Sequence, residues 1–77
     1  MTRLPRITGK EAVRAFEKAG FFIKRQSGSH IIMRHRTDLN RRCIIPLHGS
    51  RIIKPGTLQS ILKGAELSIE EFSRLLK

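Results

Sequence analysis

The chain has 77 residues, with 16 Lys and Arg against 6 Asp and Glu, a formal net charge of +10 and a pI near 11.5. A chain of this length can bury only one small hydrophobic core, so we expect a single domain over residues 1–77. Its single cysteine excludes an intramolecular disulfide, and no apolar run approaches the ~20 residues of a membrane span. We therefore expect a cytoplasmic protein with no membrane segment.

The positive charge is concentrated in the middle of the chain. Residues 18–65 contain ten Lys and Arg against the single acidic residue Asp38, a net +9 (ten minus one), whereas the two ends together carry only +1. This asymmetry indicates a polyanionic partner, either nucleic acid or an anionic membrane, in preference to charge that only keeps the protein in solution. A membrane is the weaker reading, because no predicted helix places Lys and Arg beside a large apolar stripe.

The first predicted element is a helix over residues 9–19. The segment Thr8-Gly9-Lys10-Glu11 has the spacing of a capping box, in which the Thr8 hydroxyl and the Glu11 carboxylate accept hydrogen bonds from backbone N–H groups. Gly20 can adopt the left-handed conformation that ends a helix. The apolar residues between them recur at helical spacing, at Ala12, Val13, Phe16 and Ala19.

Three strands are predicted next, over residues 21–26, 29–35 and 43–48. The first two are separated by Ser27-Gly28, which is the length of a tight hairpin turn. The polar segment 36–41 leads to the third strand. Pro46 cannot donate a ladder hydrogen bond, so this strand is expected at a sheet edge.

Two further helices complete the chain. Pro55 suits the first turn of a helix ending at Lys63, before Gly64. Ser68-Ile69-Glu70-Glu71 is a second capping box and predicts a final helix. The order αβββαα predicts an α+β two-layer sandwich, with a three-stranded antiparallel sheet covered by helices on one face.

Strand alternation predicts which side chains leave the core. Ile31 and Met33 share the core-facing side of the second strand, so His30, Ile32 and Arg34 face the open side. In the third strand the core-facing residues are Cys43, Ile45 and Leu47, and the opposite parity belongs to Ile44, Pro46 and His48. Cys43 is therefore read as a small core residue.

The hairpin predicts the neighbours of His30. With Ser27-Gly28 as the turn, Arg25 pairs with His30 and Phe22 points inward beside Met33. The third strand can place His48 directly opposite His30. The open face then carries a row of Arg25, His30 and His48 with Arg34 nearby, provided that the strands do not slip by one residue, which would invert the faces.

This row suits RNA cleavage without a metal. A neutral imidazole at His30 can take the proton from a ribose 2′-OH, and His48 can give one to the departing oxygen. Arg25 can stabilise the charge on the phosphate. The alternative is that His30 is an ordinary strand residue.

A second anion site is predicted at Lys54-Pro55-Gly56-Thr57. Helix starts present free N–H groups and a partial positive charge, and Lys54 is a poor side-chain cap. A phosphate can bind there, or Thr57 can cap the helix itself; both readings stay open.

A metal centre is disfavoured, and no cofactor is predicted. His30 and His35 are five residues apart in one strand and face opposite sides, as do Cys43 and His48. The sequence contains no Cys-x-x-Cys or His-x-x-x-His spacing.

With these residues in view, the chain resembles the HicA (YcfA-like) toxin family of toxin–antitoxin systems. The similar segments occur in order along nearly the whole chain: Leu4-Pro5-Arg6, Gly9-Lys10-Glu11, Lys18-Ala19-Gly20-Phe21, Arg25-Gln26-Ser27-Gly28-Ser29-His30, Ile45-Pro46-Leu47-His48 and Lys54-Pro55-Gly56-Thr57-Leu58. The resemblance implies a fold similar to the double-stranded-RNA-binding domain and an mRNA interferase activity that needs no metal.

The resemblance also implies roles for single residues and a partner. The catalytic histidine of the family's Gly-Ser-His motif falls on His30. From the chain itself we expect Gly28, Ser29, Arg34 and Lys54 to bind the RNA around it. The implied partners are mRNA and a HicB-like antitoxin that covers the active face. Many family members carry a second histidine directly after the motif, where this chain has Ile31. That position faces inward by parity, so we do not read its loss as inactivation.

Two functions therefore remain open at the level of sequence. The first is a toxin that cuts mRNA with His30. The second is a non-catalytic RNA-binding module, which needs the same basic surface but no reactive histidine. The oligomeric state is not predicted.

Overall fold

A computed structural model describes residues 3–76 and confirms the predicted order αβββαα. The elements are α1 (Gly9–Lys18), β1 (Phe21–Ser27), β2 (His30–His35), β3 (Arg42–Pro46), α2 (Pro55–Ala65) and α3 (Ile69–Leu75). The strands form one antiparallel sheet in the order β1-β2-β3, so β3 lies at an edge as Pro46 requires. Among the described residues, no helix has the length and apolar character needed to cross a membrane.

Both predicted capping boxes are confirmed. Thr8 caps α1 by accepting from the Glu11 N–H at 3.2 Å, while the Glu11 carboxylate accepts from the Thr8 N–H at 2.9 Å. Ser68 and Glu71 repeat this exchange at α3, at 3.0 and 3.1 Å. Each box satisfies two backbone N–H groups that a helix start leaves free, which fixes where these helices begin.

The capping box of α3 makes stability depend on pH. The Ser68 backbone N–H, followed by the Ser68 side chain, lowers the pKa of Glu71 from its ordinary 4.5. Because folding lowers this pKa, the stabilisation is fully present above about pH 4.5 and is lost as the pH falls through the lower folded value.

We therefore expect the wild type to melt at a higher temperature than Glu71→Gln near neutral pH. The difference should shrink below about pH 4.5 and disappear in stronger acid, where Glu71 is protonated in both states. Thermal melts followed by circular dichroism across this range measure it. A difference that persists unchanged in strong acid would contradict the assignment.

The hydrophobic core lies between one face of the sheet and the helices. Ile31 and Met33 of β2 and Cys43 and Ile45 of β3 are buried on this face, which confirms the parity predicted for both strands. The Phe16 ring of α1 is fully buried at the centre. It packs against Phe21 and Phe72 with ring centroids 5.4 and 5.0 Å apart, so α1, β1 and α3 share one core.

The predicted hairpin register is wrong. The turn is Gly28-Ser29, and Ser27 pairs with His30, so Arg25 lies opposite Ile32 and not opposite His30. Gly28 takes a positive φ of 58° at the first turn position, which glycine adopts without strain and which Ser27 would adopt only at a cost. Moving the turn by one residue shifts the partner of each β1 residue by two positions along β2. Arg25 therefore stays on the predicted face but has a different partner.

Because of a bulge in β1, the inward-facing phenylalanine is Phe21 and not Phe22 as predicted. The pairing shifts between Ile23 and Arg25, which leaves Lys24 without a direct partner in β2. As a result Phe21 is the buried residue, and Phe22 lies opposite Arg34 on the open face. Strict alternation from the hairpin predicted the opposite, because a bulge inverts the parity beyond it.

The second helix does not end before Gly64. It continues to Ala65, and Glu66 takes the left-handed position at the end of the helix. A Cβ placed on Gly64 would lie 2.6 Å from the backbone oxygen of Arg42, so the glycine allows α2 to lie directly against β3. The residue read as a helix stop is a site of close helix–strand packing.

Candidate active site

His30 and His48 lie side by side on the surface. His30 is the first residue of β2, and His48 follows the end of β3. Their ring centroids are 6.5 Å apart with the planes at 82°. His48 was expected directly opposite His30, but that place belongs to Pro46. The two rings are still neighbours, because His48 lies two residues after Pro46, the partner of His30, and so has the same strand parity.

The segment carrying His48 is held by backbone contacts. The Leu47 N–H donates to the Ser29 oxygen at 2.6 Å, which extends the β2–β3 pairing past Pro46. Further along, the Ile53 N–H donates to the Ile7 oxygen at 2.8 Å, and Ile53 is buried. These contacts attach both ends of the loop between β3 and α2 to the rest of the domain, so His48 is positioned from each side.

The two histidines share a groove of about 500 Å³ with two cationic side chains, Arg51 and Lys54. We call it the histidine groove; its remaining lining residues are Ile44, Pro46, Ile52, Ile53 and Thr57. Lys54 immediately precedes α2, and its side chain makes no capping hydrogen bond to the helix. The N–H groups at the start of α2 therefore have no partner within the helix, and they carry its partial positive charge.

A second groove of about 630 Å³ runs along the open face beside α2. Its four cationic side chains come from all three strands: Lys24, Arg25, Arg34 and Arg42. We call it the basic groove. Its lining includes Ile44 and Thr57, which also line the histidine groove, so the two grooves are adjacent. Among the described residues, neither groove is lined by an Asp or Glu.

A comparison with known protein families shows which family this chain belongs to. Residues 9–67 match the model of a family described as the HicA toxin of bacterial toxin–antitoxin systems. This chain belongs to the HicA toxin family. No curated protein shows a significant sequence match to it. The matched span of the HicA domain runs from the start of α1 to just beyond α2 and contains both histidines and Lys54.

The structure of this HicA domain divides the predicted site residues among three places. His30, His48 and Lys54 line the histidine groove, whereas Arg25 and Arg34 line the basic groove. The predicted contact of Arg25 with His30 is therefore absent, because the register moved Arg25 two positions along β2. The remaining two, Gly28 and Ser29, form the exposed turn that leads into His30.

The other titratable candidates of the HicA domain have structural roles. The His35 Nδ1 accepts hydrogen bonds from the backbone N–H groups of Thr37 and Asp38, at 3.3 and 3.1 Å, and its ring packs on Phe21. Burial raises the pKa of the Cys43 thiol to about 12, so it stays protonated in the core. Among residues 3–76, no three His, Cys, Asp or Glu side chains are grouped to hold a metal ion.

Sequence reasoning missed two cationic residues of the HicA site. Arg42 precedes the core residue Cys43, so parity alone would have assigned it to the open face. Arg51 lies in an irregular loop whose path has no periodicity, and nothing in the sequence predicts that it approaches the histidines.

Proposed function

We propose that this HicA toxin is a metal-independent mRNA endoribonuclease of the cytoplasm, and that it forms one toxin domain. The observation that carries the proposal is the His30–His48 pair, with ring centroids 6.5 Å apart in a groove that also contains Arg51 and Lys54. Two imidazoles at this spacing can flank one phosphodiester.

The chemistry follows from the two rings. The His30 imidazole takes the proton from a ribose 2′-OH, and the resulting oxygen attacks the adjacent phosphorus. The bond from phosphorus to the 5′ oxygen of the next nucleotide breaks, and His48 donates a proton to that oxygen. The products are a 2′,3′-cyclic phosphate and a 5′-hydroxyl. One proton is taken and one is given, so the reaction needs no metal and no cofactor.

Positive charge around the rings supports the same reaction. The attack adds negative charge to the phosphate oxygens, and Lys54 and Arg51 line the groove in which those oxygens would lie. The uncapped start of α2 supplies N–H groups aimed at an anion, as phosphate-binding helices do. These donors are part of the folded scaffold, so they need little rearrangement when charge develops.

A smaller effect is expected from His48 than from His30. We expect His48→Ala to slow cleavage by about 10²-fold, the low end for a general acid, because water can protonate the departing oxygen in its place. Single-turnover cleavage of a short RNA measures the change. A loss as large as that of His30→Ala would show that the two histidines act as one unit, and no loss would remove His48 from the mechanism.

The family and the open face support an antitoxin partner. We propose that a HicB-like antitoxin covers the grooves and blocks access of mRNA. The side chain of Ile44 is 56% exposed between the two grooves, beside the half-buried Ile32 and Pro46, and gives such a partner an apolar contact.

The test is cleavage of RNA by the purified protein in EDTA. We expect endonucleolytic products in the absence of divalent metal, and inhibition when the antitoxin is added in equal amount. A strict requirement for divalent metal would contradict the mechanism. Tight, salt-sensitive RNA binding with no cleavage under any condition would instead support the non-catalytic RNA-binding module.

A further inference from the structure

The basic groove brings together cations that the sequence keeps far apart. Lys24 and Arg25 come from β1, Arg34 from β2 and Arg42 from β3, and Arg34 and Arg42 are direct strand partners. The bulge in β1 contributes to this grouping, because it lets the consecutive residues Lys24 and Arg25 line the same groove. Paired arginines repel each other, and a bound anion removes that repulsion.

The groove also has an apolar floor and a polar wall. Ile32 and Ile44 are strand partners that line the groove, and Ile44, which also lines the histidine groove, is largely exposed. Thr57 and Ser60 of α2 form the side next to β3. Phosphates can lie along the cations while the faces of unpaired bases cover the isoleucines. A duplex keeps its bases stacked inside and presents only its backbone, so this floor favours single-stranded nucleic acid.

The length of the path can be estimated from β2. His30 and Arg34 are four residues apart on the same face, which is about 13 Å at ~3.3 Å per residue. At the ~3.4 Å per nucleotide of a fully stacked strand this distance would hold about four nucleotides, and it holds fewer when the bases lie open on the isoleucines. Since the two grooves adjoin at Ile44 and Thr57, a strand that runs from the histidines to the arginines crosses these two side chains.

We propose that the basic groove is an extended subsite for single-stranded RNA, holding up to about four nucleotides on one side of the phosphate that the histidines cut. This inference rests on the proposed ribonuclease function for the position of the cut, but the binding itself does not depend on cleavage. The subsite makes the toxin prefer unpaired RNA of several nucleotides over a dinucleotide. Arg34 and Arg42 hold its far end.

Binding of a non-cleavable probe tests the subsite separately from catalysis. A fluorescent 2′-O-methyl hexanucleotide cannot undergo attack by its 2′ oxygen, and a dinucleotide of the same chemistry reaches only the histidine groove. We expect the Arg34→Ala/Arg42→Ala double variant to bind the hexanucleotide about tenfold more weakly, because it loses the charge contacts of the half-buried Arg34 and the exposed Arg42. Its affinity for the dinucleotide should stay unchanged.

The salt dependence gives a second readout. Each lost phosphate contact lowers the slope of log affinity against log salt by about 0.7 for a single strand, so the double variant should lose about 1.4. Arg34→Lys/Arg42→Lys keeps the charge and should recover most of the slope, which separates a binding role from a folding defect. Lys10→Ala/Arg14→Ala on the exposed side of α1 removes the same charge elsewhere and should bind as the wild type does.

Three results would overturn the subsite. The first is an unchanged affinity of Arg34→Ala/Arg42→Ala for the hexanucleotide, and the second is an equal loss in Lys10→Ala/Arg14→Ala. The third is a double variant that loses only antitoxin binding, which would assign the groove to a protein partner. If the wild type binds the probe in the expected way but cuts no RNA, the proposed ribonuclease function fails while the subsite stands.

Discussion

The His30→Ala variant is expected to cut RNA about 10²- to 10⁴-fold more slowly than the wild type, the usual contribution of a positioned general acid or base. The ring of His30 is exposed at the start of β2 and lies in the groove that also contains His48, Arg51 and Lys54. Removing it deletes the group that takes the 2′ proton and leaves the cations in place. The loss should therefore appear in the rate of cleavage and not in RNA affinity.

Two measurements make this prediction specific. Single-turnover cleavage gives the rate, and binding of the 2′-O-methyl hexanucleotide gives the affinity. His30→Gln keeps a polar side chain of similar reach but cannot exchange a proton near neutral pH, so it should be as slow as His30→Ala. Activity retained by either variant would contradict the role of His30. A parallel loss of affinity and melting temperature would show a structural role instead.

Gly64→Ala is expected to destabilise the fold by about 1–3 kcal/mol, although glycine to alanine inside a helix is normally stabilising. The added Cβ would lie 2.6 Å from the Arg42 backbone oxygen. Because this oxygen belongs to the backbone of the edge strand, it cannot rotate away as a flexible side chain could. The clash would push α2 away from β3. Since α2 also carries Thr57 and Ser60, both grooves should be disturbed.

Gly56 in the same helix provides the matched control. A Cβ at Gly56 meets no atom within 4 Å, so Gly56→Ala should be neutral or stabilise the fold by up to about 1 kcal/mol. Urea unfolding of both variants measures the difference. Equal stabilities for the two would mean that α2 does not pack against β3 as closely as described.

The sequence predicts the elements well because their signals are local. The capping boxes at Thr8 and Ser68 fix two helix starts through contacts three residues apart. Parity assigns Ile31, Met33, Cys43 and Ile45 to the core because alternation holds within an unbroken strand.

The errors have equally physical causes. Gly28-Ser29 is the better two-residue turn, because glycine takes the positive φ of the first position without strain. The Ser27-Gly28 prediction overlooks this preference and so misplaces Arg25. The bulge between Ile23 and Arg25 depends on packing against the whole sheet and inverts the parity of Phe21 and Phe22. A glycine at this position is typical of a helix end, and only the close approach of β3 shows that Gly64 allows the helix and the strand to pack together.

The site was predictable in part for the same reasons. Strand parity predicts that His30 and His48 lie on one face, and in the structure their ring centroids are 6.5 Å apart. Arg51 joins them through a loop that is fixed by long-range contacts of Ile53 with Ile7, which no local pattern encodes. The adjacency of the two grooves at Ile44 and Thr57 likewise depends on where α2 lies beside β3.

The most direct test of the account is the chemistry of the cut ends in EDTA. An oligonucleotide of RNA is compared with one that carries a single 2′-deoxy sugar on the 5′ side of the cleaved bond, and the products are read by mass spectrometry. We predict 2′,3′-cyclic phosphate and 5′-hydroxyl ends from the RNA, and no cut at the deoxy position. Cleavage at the deoxy position, or products ending in a 5′-phosphate, would contradict attack by the 2′-OH and with it the role of His30.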